Sequence, residues 1–219
     1  MKGKVEDDSK REGIILILSA PSGTGKTTLI NRLLALFPEL SLSVSYTTRR
    51  RRGDEVAGKD YHFVPVQRFA AMQARGDFAE WAKVHDFLYG TPRKALDRCV
   101  KQGRDILLDI DVQGAEQIKK SYPGAMSIFL IPPSWQELRR RLASRGTDGP
   151  KIIARRMANA KREIRAIVGY DYYIVNRDVK HALAQLAVII RAERLKVSRV
   201  TKWRIKPLYD ITCHRSSRT

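Results

Sequence analysis

Ile14-Ile15-Leu16-Ile17-Leu18-Ser19-Ala20-Pro21-Ser22-Gly23-Thr24-Gly25-Lys26-Thr27-Thr28 is the stretch that decides the fold. Five successive apolar residues, 14–18, are the pattern of a strand buried on both faces of a parallel sheet. A glycine-containing loop follows. Apolar residues then recur at helical spacing through Leu29, Ile30, Leu33 and Leu34, until Pro38 ends the pattern. Strand, glycine loop and helix in that order are the setting of a phosphate-binding loop. Residues 20–27 fit G-x-x-x-x-G-K-[ST] everywhere but at the first position, where Ala20 stands in place of glycine. Gly23 and Gly25 allow consecutive backbone N–H groups to turn inward around a phosphate, and the helix that follows adds its positive end. Lys26 supplies a point charge for the β- and γ-phosphates, and Thr27 a hydroxyl for Mg²⁺. The expected lining of a nucleoside triphosphate site is therefore Ala20, Pro21, Ser22, Gly23, Thr24, Gly25, Lys26, Thr27 and Thr28. A glycine-rich turn that happens to contain lysine is the plainer alternative, and the flanking strand and helix speak against it. The loop does not identify what receives the phosphate.

Outward from the loop, strands and helices alternate. Leu42, Val44 and Tyr46 read as one short strand, 61–64 and 78–82 as two more, with a polar helix at 67–75 between them. A helix opened by Pro92 is expected over 92–102. A second buried strand at 105–110 ends in acidic residues and leads to a helix at 113–120. A strand at 126–131 is closed by Pro132-Pro133, and Ser134 is a suitable N-cap for the helix after it. Residues 145–150 read as a polar loop, 152–168 as a long basic helix, 172–175 as a strand and 179–195 as a last helix. Such alternation predicts an α/β fold of the P-loop NTPase type, a parallel sheet covered by helices on both faces. Phe78 and Trp81 read as core residues. His62 and His85 read as packing or surface residues rather than bases.

Composition narrows the class. With 219 residues and 43% hydrophobic content, the chain suits one domain with a real core. No apolar run approaches the roughly 20 residues of a membrane span. Residues 1–12 are charged and lack the apolar centre of a secretory signal, so they read as a solvated arm. Cys99 and Cys213, the only two cysteines, are too few for a disulfide framework. Together these features predict a cytoplasmic protein. The net charge of +19 points to anionic partners, whether nucleotides, nucleic acid or an acidic membrane surface, without ranking them.

Further motifs identify the acceptor. Ser45-Tyr46-Thr47-Thr48-Arg49-Arg50-Arg51-Arg52-Gly53-Asp54-Glu55 runs toward Gly58-Lys59-Asp60-Tyr61-His62-Phe63. Phe78-Ala79-Glu80-Trp81, Tyr89-Gly90-Thr91 and Leu108-Asp109-Ile110-Asp111-Val112-Gln113-Gly114 follow. With the phosphate loop, this ordered series resembles the guanylate kinase family over about 14–175. The resemblance implies transfer of the ATP γ-phosphoryl group to GMP, and to dGMP, with Mg²⁺ accompanying ATP. It implies that Arg49 and Arg52 hold the GMP phosphate with hydroxyls from Ser45 and Tyr61. Glu80 and Asp111 read guanine, Thr91 bonds the base, Tyr89 lies near the phosphate, and Glu55 and Asp109 orient these groups or the metal's water shell. Family members often carry proline where this chain has Arg51, a departure that bears on loop stiffness rather than charge.

The chemistry agrees independently. Guanidinium forks match phosphate oxygens bidentately. Guanine offers N–H donors at N1 and N2 to a carboxylate, and adenine offers none there. Read alone, residues 49–52 equally suit a solvated basic run and Glu80 an exposed strand position; their order in the series favours the site.

Arg139-Arg140-Arg141-Leu142-Ala143-Ser144-Arg145-Gly146-Thr147 resembles the family's lid and Arg155-Arg156 its return. Arg141, Arg145 and Arg156 would then close over the ATP phosphates, and Asn176 would lie near adenine. The implied organisation is an arm at 1–12 and a catalytic domain at 13–195. Within that domain, 13–44, 92–138 and 159–195 form the core, about 45–91 the GMP-binding subdomain and about 139–158 the lid. Residues 196–219 form a basic tail. The tail is expected to be solvated; RNA or anionic lipid is a lesser reading of its charge, and Trp203, Ile205, Leu208 and Tyr209 leave packing on the body or on another subunit open. Two other classes stay on the table: a peptide-binding scaffold derived from the same fold, which the intact Gly25, Lys26 and Thr27 oppose, and a kinase for another small phosphate acceptor, which Glu80, Thr91 and Asp111 oppose.

Overall fold

In the computed structural model, which describes residues 12–84, 86–144 and 149–200, β1 (Ile15–Ser19) is the central strand of a five-stranded sheet. Every residue of β1 is buried, because its alternate side chains serve two cores. Leu16 and Leu18 join Leu29 and Leu33 of α1 (Lys26–Leu36) and Ala182, Leu186 and Ile190 of the long helix at Val179–Arg194, while Ile15 and Ile17 pack with Leu96, Leu108, Ala115 and Ile118. This is why the run 14–18 carries no alternation: a strand with helices on both faces has no solvent side.

After α1, β2 (Ser41–Leu42) and β3 (Tyr46–Thr47) belong to different sheets. The single strand expected through Leu42, Val44 and Tyr46 is thus divided. The Ser43 N–H still donates to Leu107 of the first sheet at 2.9 Å, and from Tyr46 the chain pairs in the second. A period of two marks extended chain but cannot say which sheet it joins.

The second sheet is built from β3, β4 (His62–Phe63), β5 (Phe78–Val84) and β6 (Phe87–Pro92), in the order β4-β3-β6-β5, with α2 (Val66–Ala74) connecting β4 to β5. β6 was hidden in the sequence by Gly90 and Pro92, residues that weaken a strand pattern. Pro92 ends β6 and caps α3 (Arg93–Lys101) instead of lying inside it. A register shift between Phe78 and Glu80 breaks the alternation of β5, so that Phe78, Ala79 and Glu80 are all buried and Trp81, expected in the core, is 39% exposed. His62 stacks on Tyr46 with ring centroids 4.6 Å apart, a packing role; His85 lies outside the described residues.

The first sheet resumes with β7 (Ile106–Asp109), followed by α4 (Val112–Ser121), β8 (Met126–Ile131), α5 (Trp135–Ala143), α6 (Pro150–Ile164), a 3₁₀ turn, β9 (Tyr172–Val175), α7 (Val179–Arg194) and the short α8 (Val197–Val200). Its order is β2-β7-β1-β8-β9, all parallel. Side-chain caps start three of the helices: Asp111 accepts from Gly114 N–H, Ser134 from Glu137 and Asp178 from His181. No helix among the described residues is long and apolar enough to cross a membrane. The arm at 1–11 and the tail beyond 200 lie outside the described residues.

Candidate active site

Strands β1 and β7 and the segment after β9 deliver their loops to one edge, the carboxyl ends of the parallel strands, where open α/β sheets hold ligands. After β1, Gly23 and Gly25 take φ values of 90° and 94°, a left-handed backbone that a Cβ disfavours. The Thr24 hydroxyl donates to the Pro21 carbonyl at 2.6 Å and closes the turn. Gly25 caps α1, so Lys26 and Thr27 stand in the first helical turn, which holds no acidic residue to offset its positive end. Residues 19–28 line a cavity of about 290 Å³ together with Val84 of β5, Asp111, Val112 and Glu163. All nine loop residues expected from the sequence are in that lining. The Lys26 ammonium is paired with Asp109 at the end of β7.

Asn176, buried after β9, donates its side-chain amide to the Thr24 carbonyl at 2.7 Å, and its Oδ1 has no partner among the described residues. Arg141 of α5 reaches the same carbonyl at 3.2 Å and the Asn176 and Arg177 carbonyls at 3.1 and 3.3 Å, with its Nε held by Glu137 at 2.7 Å. Its guanidinium is thereby engaged with the backbone that shapes the loop. Arg156 lies on α6, and Arg145 lies outside the described residues.

The second sheet supplies the opposite group of residues. Arg49 is 6% exposed and donates to both Glu55 oxygens, at 3.0 and 2.7 Å, to the Tyr89 hydroxyl at 3.2 Å and to the Arg50 carbonyl at 2.8 Å. It also sits 5.3 Å from the centre of the Tyr61 ring. The Glu55 bond raises the Arg49 pKa further, and the same bond holds the Glu55 carboxyl below its usual range. Arg52 is exposed; its backbone N–H donates to Glu55 at 2.8 Å, and its guanidinium has no ion pair or hydrogen bond among the described residues. Ser45 is half-buried and accepts the His62 N–H on its carbonyl at 2.9 Å. Tyr61 and Tyr89 meet edge to face, and burial, followed by the Asp109 charge, pushes the Tyr61 hydroxyl up to about 12.

Glu80 is 4% exposed and accepts the Thr91 hydroxyl proton at 2.6 Å across the β5–β6 ladder. Burial raises its carboxyl to about 7, against the Thr91 bond and with help from the charge of Asp111. Asp111, the cap of α4, also receives the Gln113 side-chain amide at 3.2 Å. The charge of Asp109 acts on Tyr61 and that of Asp111 on Glu80, so the ends of the parallel sheet and the second sheet share one electrostatic site.

Two residues escaped the sequence reading. Glu163 lines the cavity at the glycine loop, and its carboxyl is raised by burial, against Lys26 and with Asp111. Its signal was available: an acid in a basic helix, three positions after the buried Ala160. Gln117 joins α4 to β5 through bonds with both the N–H and the carbonyl of Trp81, at 3.2 and 2.8 Å. Nothing in a polar helix face announces such a clamp.

Comparison with known proteins follows the same lines. The family model described as Guanylate kinase matches residues 12–193. The guanylate kinase of Syntrophotalea carbinolica is 50% identical over 191 residues, 87% of this chain and 91% of that protein. That of Nitratidesulfovibrio vulgaris is 52% identical over 186 residues, 85% and 90% of the two chains. The crystal structure of guanylate kinase from Anaplasma phagocytophilum superposes with a TM-score of 0.77 at 35% identity, covering 94% of this chain and 100% of that one.

Proposed function

The chain belongs to the guanylate kinase family, and from that premise we propose how its residues divide the work. It is an ATP:GMP phosphotransferase, and the family's reaction is phosphorylation of GMP by ATP. The observation that carries the residue assignment is a buried carboxylate, Glu80, steadied by Thr91 and set beside Asp111, which also borders the phosphate cavity.

Guanine would donate N1–H and N2–H to Glu80 and Asp111, with Thr91 completing the base site. Adenine would offer that buried acid no donor from the base, a mismatch worth roughly 10⁴-fold in discrimination. The phosphate of GMP would take Arg52, whose guanidinium is uncommitted among the described residues, and the remaining donor capacity of Arg49, with Tyr61, Tyr89 and Ser45 nearby. Glu55 spends two of the Arg49 bonds on alignment, so Arg49 serves as a fixed charge and Arg52 as the mobile clamp. ATP phosphates would lie in the cradle of residues 20–28 against Lys26, and the two anions would meet for direct in-line transfer without a covalent intermediate. Arg141 would set the shape of the loop, with Arg145 and Arg156 contributing charge on closure and Asn176 bordering the adenine.

The residues suit Mg²⁺ bound with ATP. The Thr27 hydroxyl is a hard oxygen donor in the cavity lining and the Asp109 carboxylate, paired with Lys26, is a second hard donor next to it, and no group of three or more His, Cys, Asp or Glu among the described residues forms a metal cage. Mg²⁺ characteristically takes one or two protein oxygens and completes its shell with phosphates and water. When bound, it would supply charge neutralisation to the phosphates.

We also read residues 45–91 as the GMP-binding subdomain, 139–158 as the lid and the protein as cytoplasmic, with the tail a minor, salt-sensitive anion binder at most. An ADP-release assay with ATP and Mg²⁺ comparing GMP, dGMP, AMP, CMP, UMP and dTMP tests the reading. Turnover with the two guanine nucleotides alone supports it, and comparable turnover with AMP overturns the role of Glu80.

A further inference from the structure

Gly114 is the third residue of α4, a position where glycine is a poor choice. Its φ is not in the left-handed region, so no backbone freedom is needed, and alanine is the better residue in a helix interior. What distinguishes the position is its neighbour. A Cβ on Gly114 would stand 2.5 Å from Glu80 Oε2 and 3.0 Å from Glu80 Cδ, with the Ile110 Cβ at an ordinary 3.4 Å. The one close obstacle is the carboxylate itself.

Neither backbone can retreat to relieve that contact. The Gly114 N–H is fixed by the Asp111 cap at 2.9 Å. On the other side, Gln117 holds Trp81, the residue next to Glu80, by its N–H and its carbonyl, and the β5–β6 ladder holds Glu80 opposite Thr91. Only the Glu80 side chain can yield.

We propose that Gly114 is a specificity-positioning residue: its missing Cβ admits the Glu80 carboxylate against the start of α4 and so sets the acid that selects guanine. The inference rests on the reading of Glu80 as the base-selecting acid. Any side chain at 114 rotates that acid off Thr91 and out of register with the base, while the helix itself gains.

The test uses the full chain carrying Gly114→Ala, Glu80→Gln, Glu80→Asp and the double variant Gly114→Ala/Glu80→Asp. Thermal unfolding, KM for GMP, KM for ATP and kcat are measured for each. Gly114→Ala is expected to keep or raise the melting temperature, to raise KM for GMP at least tenfold and to leave KM for ATP within twofold. Aspartate is shorter by one methylene, so the double variant recovers at least threefold of the GMP affinity that Gly114→Ala loses. Glu80→Gln separates the two ideas: if it leaves KM for GMP unchanged, the base-selecting role of Glu80 fails first. If Glu80→Gln weakens GMP while Gly114→Ala keeps KM for GMP within twofold, the role of Gly114 is overturned. Penalties of Gly114→Ala and Glu80→Asp that simply multiply overturn it as well. Should Gly114→Ala fail to fold, a soluble double variant upholds the contact and an insoluble one refutes it.

Discussion

The ammonium of Lys26 is paired with the carboxylate of Asp109, which joins the first turn of α1 to the end of β7. On the proposed reading, the charge that would meet ATP is held in place by a group that the nucleotide's phosphates would displace or share. Both side chains are partly open to solvent, so the pair contributes at most about 1 kcal/mol to folding. Its value lies in placing the charge.

Lys26→Met therefore separates chemistry from stability. Loss of one preorganised charge on the transferring group lowers kcat by roughly 10²–10³-fold. Steady-state turnover alongside a thermal melt checks this; an unfolded variant, or one with near-normal kcat, contradicts it.

The two arginines proposed to hold the GMP phosphate should respond differently. Arg49 is buried and bonded to Glu55, Tyr89 and a backbone carbonyl, so Arg49→Ala strands these partners and costs roughly 1–3 kcal/mol of stability besides GMP affinity. The Arg52 guanidinium has no such partners among the described residues, so Arg52→Ala raises KM for GMP by at least tenfold with stability changed by less than about 0.5 kcal/mol. Urea titrations and GMP saturation curves on both variants make the comparison.

Glu80, with its carboxyl raised to about 7 by burial, predicts a pH dependence. The unfolded acid ionises near 4.5 and the folded one near 7, so without GMP the folded state binds the extra proton between these values. Stability falls as pH rises through that window. On the proposed reading GMP takes the ionised form, so its affinity is expected to rise with pH up to about 7 and then level. The phosphate of GMP titrates near 6 as well; the informative measurement is the difference between the profiles of the parent and Glu80→Gln, which is flat if Glu80 is not the group.

At the far end of α7, Glu193 is 1% exposed and accepts the Tyr172 hydroxyl at 2.8 Å and an Arg199 N–H at 3.0 Å, with Lys196 also paired to it. Burial opposes its ionisation, and the bonds from Lys196, Tyr172 and Arg199 outweigh burial, leaving the carboxyl below its usual range. A lowered acid stabilises the fold above its unfolded pKa and loses that contribution as pH falls through the folded one. Glu193→Gln should cost roughly 1–3 kcal/mol near neutral pH, with a gap to the parent that narrows in acid and with kcat unchanged. Melting curves from pH 3 to pH 8 read it directly.

Much of this protein is legible along the chain because the relevant physics is local. A strand buried on both faces has to be apolar throughout, and β1 is. A phosphate cradle needs glycine at positive φ next to a lysine, and Gly23, Gly25 and Lys26 stand together in the sequence. A helix cap such as Ser134 is decided within four residues. What the chain could not disclose are relations between distant residues. The transfer from β2 to β3 between two sheets, the exposure of Trp81 and the clamp of Gln117 on β5 all depend on which surfaces meet. So does the contact that makes Gly114 consequential, since the acid it accommodates lies 34 positions earlier (114 minus 80). Propensity and pattern act over a few neighbouring residues, whereas close approach and burial are properties of the assembled fold, and the placing of Glu80 belongs to the second kind.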